Sequence, residues 1–287
     1  MSGWVNPPDK MIVQSLNDLP PLRDVIAQYD LMAKKSLGQH FLCDLNLTRR
    51  IAECAGDLKG RTVFEIGPGP GGLTRALLGT EATQVIAIEK DPRCIAALSK
   101  LTEVAVGRLQ VIEGDALKTD LPTLAPSPRA IVANLPYNIG SELLLRWLHQ
   151  IDAFESMTLM FQSEVVDRLI AAPNSKTYGR LSVITQFCCD ATRVLDIPAR
   201  AFTPPPKVDS SVVHLTPRKN RPTDITLGTL EKITAAAFGQ RRKMLRSSLK
   251  PLGGEALLRQ VGIDPELRAE NLSIADFEKL ARILKYP

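Results

Sequence analysis

Short apolar runs rich in Val and Ile recur through the first half of the chain, at residues 62–66, 84–88, 109–112, 129–133 and 157–161. Near-continuous runs of this length suit parallel strands buried on both faces. Between them, apolar residues recur at helical spacing over 73–78, 94–100, 141–149 and 164–171. Alternation of this kind predicts an α/β domain built on a doubly wound, Rossmann-like sheet.

The pattern changes after about residue 180. Residues 181–192 and 210–215 read as strands, separated by Phe202-Thr203-Pro204-Pro205-Pro206. Prolines cannot donate to a sheet ladder, so that stretch is expected to be a loop of fixed course. Pro217-Arg218-Lys219-Asn220-Arg221-Pro222 reads as a linker, and the remainder is helical. Breaks are expected at Gly253-Gly254, at a cap on Asp264 before Pro265, and at Ser273. The expected organisation is an N-terminal extension over 1–33, a catalytic domain over 34–217 and a small all-helical C-terminal domain over 218–287.

Composition narrows the class. The 287 residues can bury a core without disulfide or metal support. The five cysteines form no CxxC pair, which argues against a thiolate zinc site and for a reducing compartment. Residues 1–30 show neither the apolar core of a signal peptide nor a transit-peptide composition, so a cytoplasmic location is expected. No apolar run is long enough to span a membrane. The net charge of +5 is concentrated late: residues 207–250 carry ten Lys or Arg against three acids. Arg241, Arg242, Lys243 and Arg246 form the densest part, with no acid among them for i,i+4 pairing. A phosphate-contacting face for RNA is the functional reading, and a solvated helix face the plain one.

Gly67, Gly69 and Gly72 follow the first strand as GxGxxG and open a helix. Pro68 and Pro70 within that loop remove two N–H donors that a pyrophosphate would need. A cofactor without phosphates tolerates their loss, and S-adenosylmethionine is one. Glu89, 22 residues beyond Gly67, ends the second strand, where a carboxylate can accept hydrogen bonds from ribose hydroxyls. Asp115, after the third strand, could accept from the adenine amine of the cofactor.

The fourth strand leads into Asn134-Leu135-Pro136-Tyr137. An exocyclic adenine amine is a poor nucleophile, because its lone pair is delocalised into the ring. Two acceptors for its hydrogens favour the pyramidal, nucleophilic form. The Asn134 side chain supplies one acceptor and a turn carbonyl, that of Leu135, the other. Pro136 stiffens the turn, and Tyr137 offers a flat face to a base. Positioning and electrostatics then carry the rate.

Together these segments resemble the ribosomal RNA adenine dimethyltransferase family. The others that carry the likeness are Lys35-Ser36-Leu37-Gly38-Gln39-His40-Phe41-Leu42, Gly114-Asp115-Ala116 and Phe202–Ser210. The likeness covers Lys34 to about Lys250, and its small-subunit branch matches best. The resemblance implies an enzyme that dimethylates N6 of two adjacent adenosines near the 3′ end of small-subunit ribosomal RNA. It implies that His40, Leu42, Gly67, Glu89, Asp115 and Asn134 line the S-adenosylmethionine site, and that Phe202 stacks on the target base opposite Tyr137. Many family members have Asn where this chain has His40. The partner implied is ribosomal RNA within an immature small subunit, with no membrane, no metal and a monomeric enzyme. The rival readings are an enzyme acting on large-subunit RNA and a ribosome-assembly or transcription factor that acts by binding.

Overall fold

A computed structural model describes residues 16, 18–31 and 40–284. Most of the N-terminal extension and the stretch Lys35-Ser36-Leu37-Gly38-Gln39 lie outside the described residues. By its contacts the chain divides into two compact units.

The first unit runs to Ser163 and resumes over Arg193–Thr216. It begins with α1 (Leu22–Gln28), the short β1 (Phe41–Leu42) and α2 (Leu45–Glu53). Its sheet contains β2 (Thr62–Ile66), β3 (Gln84–Glu89), β4 (Leu109–Glu113), β5 (Arg129–Asn134), β6 (Ser156–Gln162), β7 (Cys189–Ile197) and β9 (Ser210–Pro217). Their order is β4-β3-β2-β5-β6-β9-β7. β2 pairs in parallel with β3 and β5, β3 with β4, and β5 with β6, whereas β9 runs antiparallel to β6. Val63, Phe64 and Ile66 of β2 are buried, as are Val85–Ile88 and Ala130–Ala133, which is what their apolar character foretells, and Glu65 is buried among them. β7 instead alternates between more and less exposed residues, as an edge strand with one wet face does.

The strand order reverses at β2: β3 and β4 build to one side, β5 and β6 to the other. The crevice between the carboxyl ends of β2 and β5 is therefore the switch point at which open α/β sheets bind ligands. The connecting helices are α3 (Gly72–Leu78), α4 (Pro92–Val104) and α5 (Gly140–His149). Asp91 caps α4 by accepting from the Arg93 N–H at 3.1 Å, with Pro92 at the first helical position. The two-residue β8 (Phe202–Thr203) pairs with β1, placing Leu42 opposite Phe202.

The second unit comprises Glu164–Thr192 and residues from Pro217 onward. Its helices are α6 (Ser163–Leu169), α7 (Arg180–Cys188), α8 (Leu227–Phe238), α9 (Leu245–Ser248), α10 (Gly254–Gln260) and α11 (Ile274–Leu284). Tyr178 lies at its centre, fully buried, with its hydroxyl donating to the Leu272 carbonyl at 2.9 Å. Its ring meets Phe238, which stacks on Phe277.

Three sequence expectations need correction here. Residues 181–188 are helix rather than strand. Val183, Ile184, Phe187 and Cys188 recur at helical spacing and are all buried, and α7 packs against α8 and α11; that burial outweighs the strand preference of the β-branched residues. For the same reason residues 164–192, read from sequence as part of the catalytic domain, gather with the C-terminal helices. Asp264 caps no helix: its carboxylate accepts from the Glu266 N–H at 2.9 Å within a turn. Ser273 does cap α11, accepting from the Asp276 N–H while the Asp276 carboxylate accepts from the Ser273 N–H.

Candidate active site

One cavity opens at the switch point. His40, Leu42, Gly67, Glu89, Asp115, Asn134, Leu135, Pro136 and Tyr137 all line it, together with Glu65, Pro68, Gly69 and Lys90. The structure thus brings together every cofactor-site residue expected from the sequence, and every catalytic one except Phe202.

The glycine loop leaves β2 at Gly67, whose N–H donates to the Ile88 carbonyl at 2.9 Å. Two of its glycines are required by local geometry. Gly69 has φ +56°, and a Cβ there would lie 3.0 Å from the Phe41 ring. A Cβ on Gly72 would lie 2.6 Å from the Leu42 carbonyl oxygen, which is backbone and cannot yield as a side chain would. The loop therefore docks directly onto β1.

Glu89 holds the loop from beneath. Its buried carboxylate accepts from the N–H groups of Gly69 at 3.1 Å and of Lys90 and Asp91 at 2.8 Å each. Burial raises its pKa and those three bonds pull it back. Three donors take up most of the acceptor capacity of a carboxylate, so Glu89 shapes the loop as well as facing the cavity. Asp115 stands two residues beyond β4. It takes the Lys90 ammonium at 2.9 Å and the Leu117 N–H at 3.0 Å, and these contacts lower its pKa.

Asn134 ends β5 and donates through Nδ2 to the His40 carbonyl at 3.3 Å. A carbonyl only accepts, so the amide must turn its NH2 toward His40, which leaves Oδ1 as the free acceptor. In the following turn the Pro136 carbonyl is bonded by the N–H groups of Ile139 and Gly140. Among the described residues no donor reaches the Leu135 carbonyl. The Tyr137 hydroxyl meets Ser210 Oγ at 2.6 Å, and its ring stacks on the His40 imidazole at 5.4 Å and 30°. Burial raises the Tyr137 pKa, with the Ser210 bond opposing.

Phe202 is buried at 2 % exposure within the core and does not line the cavity. Its ring presents an edge contact to His40 at 6.4 Å. The β1–β8 pairing fixes it there, so it anchors the proline loop in this conformation.

Sequence reading overlooked two residues of the site. Glu65 is 2 % exposed, and among the described residues neither its Oε2 nor the adjacent Thr74 Oγ1 has a hydrogen-bond partner. Burial lifts its pKa to about 8; the Thr74 hydroxyl nearby opposes this, and repulsion from Glu89 adds to it. A carboxylate in the middle of a strand buried on both faces was the available signal. Ser210, which anchors Tyr137, closes the Phe202–Ser210 stretch of the family likeness, but nothing in the sequence pointed to its bond with Tyr137.

The basic cluster lies in the second unit and is less uniform than its sequence suggests. Arg241 bonds Glu270 at 3.0 Å and the Lys176 carbonyl at 2.6 Å. Arg246 approaches Glu266 at 3.8 Å. These acids are remote in sequence, so the lack of i,i+4 partners did not leave the arginines unpaired. Arg242 and Lys243 are exposed, and among the described residues no acid pairs with them. Lys243, Arg246, Lys250 and the Gly253-Gly254 turn line a shallow depression beside them.

Comparison with known proteins follows the same lines. The family described as "Ribosomal RNA adenine dimethylase" matches residues 31–286. A "Ribosomal RNA small subunit methyltransferase A" from Rhizobium etli is 56% identical over 274 residues, covering 94% of this chain and 99% of its own. The protein of that name from Paramagnetospirillum magneticum is 59% identical over 268 residues, covering 93% and 95%. Among solved structures, a dimethyladenosine transferase from Plasmodium falciparum superposes with TM-score 0.74 at 29% identity, over 84% of this chain and 96% of that one. The 23S rRNA methyltransferase ErmE gives TM-score 0.64 at 27% identity, over 86% and 100%.

Proposed function

Because this chain belongs to the ribosomal RNA adenine dimethylase family, we propose that it dimethylates N6 of two adjacent adenosines near the 3′ end of small-subunit ribosomal RNA. S-adenosylmethionine is the methyl donor in this reading. The observation that carries it is the Asn134–Tyr137 turn, whose Asn134 Oδ1 and Leu135 carbonyl have no donor among the described residues, on the same cavity as the glycine loop and Glu89.

The residues present suit that cofactor. Glu89 and Asp115, the latter paired with Lys90, face the cavity, and carboxylates there attract an ammonium and a sulfonium and repel a pyrophosphate. The prolines of the loop deny phosphates two further donors. When bound, the cofactor supplies an electrophilic methyl group on sulfur. Glu89 and Asp115, which line the cavity, would hold its ribose and adenine, and Gly67 and Gly69 would let the backbone approach its amino-acid end.

On the substrate side, Asn134 Oδ1 and the Leu135 carbonyl accept the two N6 hydrogens of an adenine lifted from its stack. That favours the nitrogen lone pair for attack without a general base. Pro136 and the bonds to its carbonyl hold the turn, and Ser210 holds the ring of Tyr137. The second unit contributes Arg242, Lys243 and Lys250 to phosphate contact. The RNA partner is assigned to an immature small subunit, the enzyme to a cytoplasmic monomer. Among the described residues no helix is long and apolar enough to cross a membrane.

A methyl-transfer assay tests the reading: labelled S-adenosylmethionine with unmethylated small subunits, large subunits and naked RNA from each, followed by nucleoside analysis. Dimethyladenosine confined to small-subunit material is expected. Label in large-subunit RNA would move the assignment to the ErmE-like branch. No label despite tight cofactor binding would make the protein a binding factor.

A further inference from the structure

The helix α1 supplies no residue to the cavity lining, yet it packs behind three elements that shape the cavity. Buried Leu22 lies against the glycine loop: its Cδ1 would sit 3.0 Å from a Cβ on Gly72. Val25 and the following Leu31 are buried in one cluster with Phe41 of β1 and with Cys94 and Ala97 of α4. Phe41 in turn packs on Gly69 and lines the cavity. Two arginines fasten the ends of the segment. Arg75, buried on α3, donates to the Pro20 carbonyl at 2.9 Å. Arg93, on α4, donates to the Asp30 carbonyl at 2.7 Å and to the two oxygens of the buried Asp91 carboxylate at 3.1 and 2.7 Å. The Asp91 N–H donates to Glu89 at 2.8 Å. Each arginine therefore stands on a helix that leaves a cavity-facing loop, residues 67–72 in one case and 89–91 in the other.

We propose that residues 20–31 are a brace for the S-adenosylmethionine site, and that Leu22, Val25, Arg75 and Arg93 are positioning residues for that cofactor. This inference rests on the reading of the cavity as a cofactor site. A helix of seven residues is marginal by itself in water, so docking is what orders α1. The glycine loop has Gly67, Gly69 and Gly71 at positive φ, a region that glycine enters and leaves freely, so its course is set by what packs on it. Docking of the brace and binding of the cofactor call for the same loop geometry. By linkage, the docked brace tightens cofactor binding by the factor by which bound cofactor tightens docking.

Amide hydrogen exchange on the full chain, read by mass spectrometry, tests both directions of that linkage. In the wild-type protein S-adenosylmethionine is expected to slow exchange over residues 22–31 as well as over 67–72. Leu22→Ala and the milder Val25→Ala open cavities beneath the helix. Without cofactor, both are expected to speed exchange over 67–72 and 89–91 and to leave the second-unit helix 227–238 unchanged. Calorimetry is expected to show S-adenosylmethionine affinity weakened roughly tenfold in both, and unchanged in Gln28→Ala on the exposed face of α1. A variant whose helix exchanges faster while the glycine loop and the affinity stay as in wild type would overturn the brace. So would wild-type exchange over 22–31 that does not respond to the cofactor, a measurement that decides the matter even where Leu22→Ala fails to fold. Wild-type protein that binds no S-adenosylmethionine would instead sink the cofactor reading, and with it the assignment of the brace to that cofactor.

Discussion

Glu89 and Glu65 are two buried carboxylates on adjacent strands, facing the same cavity with different means of support. Glu89 has three backbone donors, whereas Glu65 has an oxygen with none among the described residues. Glu89→Ala therefore removes a cavity wall and strands three N–H groups. Calorimetry should show S-adenosylmethionine binding lost, while circular dichroism still reports a folded protein at a cost of about 1–3 kcal/mol. Glu65 is expected to mark pH instead. Its pKa is raised in the fold to about 8 from 4.5, so between those values the native state holds a proton that the unfolded chain releases. Its neutral form is thus tolerated fully below pH 4.5, and the stability it contributes is lost as pH rises toward 8. Urea unfolding of wild type against Glu65→Gln should show wild type losing relative stability over that window, by no more than about 1.4 kcal/mol per pH unit. Parallel curves would mean that Glu65 is ionised throughout. Glu89 was legible in sequence because it ends a strand at a fixed distance from the glycines. Glu65 was passed over because its neighbours made the strand look uniformly apolar.

At the scale of elements, the site is made by docking β1 onto the glycine loop. The approach of Gly72 to the Leu42 carbonyl leaves no room for a methyl group. Gly72→Ala should cost about 1–3 kcal/mol in chemical denaturation, as overpacking does, and weaken cofactor binding with it, since Leu42 lines the same cavity. Unchanged stability would show that β1 can retreat without loss. β2, β3, β5 and β6 were readable because burial on both faces favours apolar runs, whereas the edge strand β7, read from residue 181, begins only at Cys189. α7 was not, because Val183 and Ile184 favour strands locally, and only packing on α8 and α11 rewards the helix. Phe202 shows the same limit: its sequence context could not say whether the ring points to the cavity or the core.

Across the whole molecule, charge is the property that sequence describes least well. Arg241 and Arg246 read as free cations and are paired with Glu270 and Glu266, 29 residues from Arg241 in the first case. Charge reversal at Arg242 and Lys243 should therefore weaken RNA binding and flatten its dependence on salt, read from binding isotherms at several ionic strengths, without loss of thermal stability. Reversal at Arg241 should lower stability as well, because it opposes Glu270. A salt slope unchanged by the first pair would remove those residues from the phosphate face.

The sequence alone determined the α/β class, the glycine loop, the acids at the strand ends and the Asn134–Tyr137 turn, because each depends on residues close together in the chain. Tertiary structure alone decided that Phe202 lies in the core, that Arg241 is paired, that residues 164–192 gather with the C-terminal helices, and that His40 reaches both Tyr137 and Pro204. Those outcomes depend on groups up to 164 residues apart, and the free energy of a distant contact leaves no periodic trace in the chain that makes it.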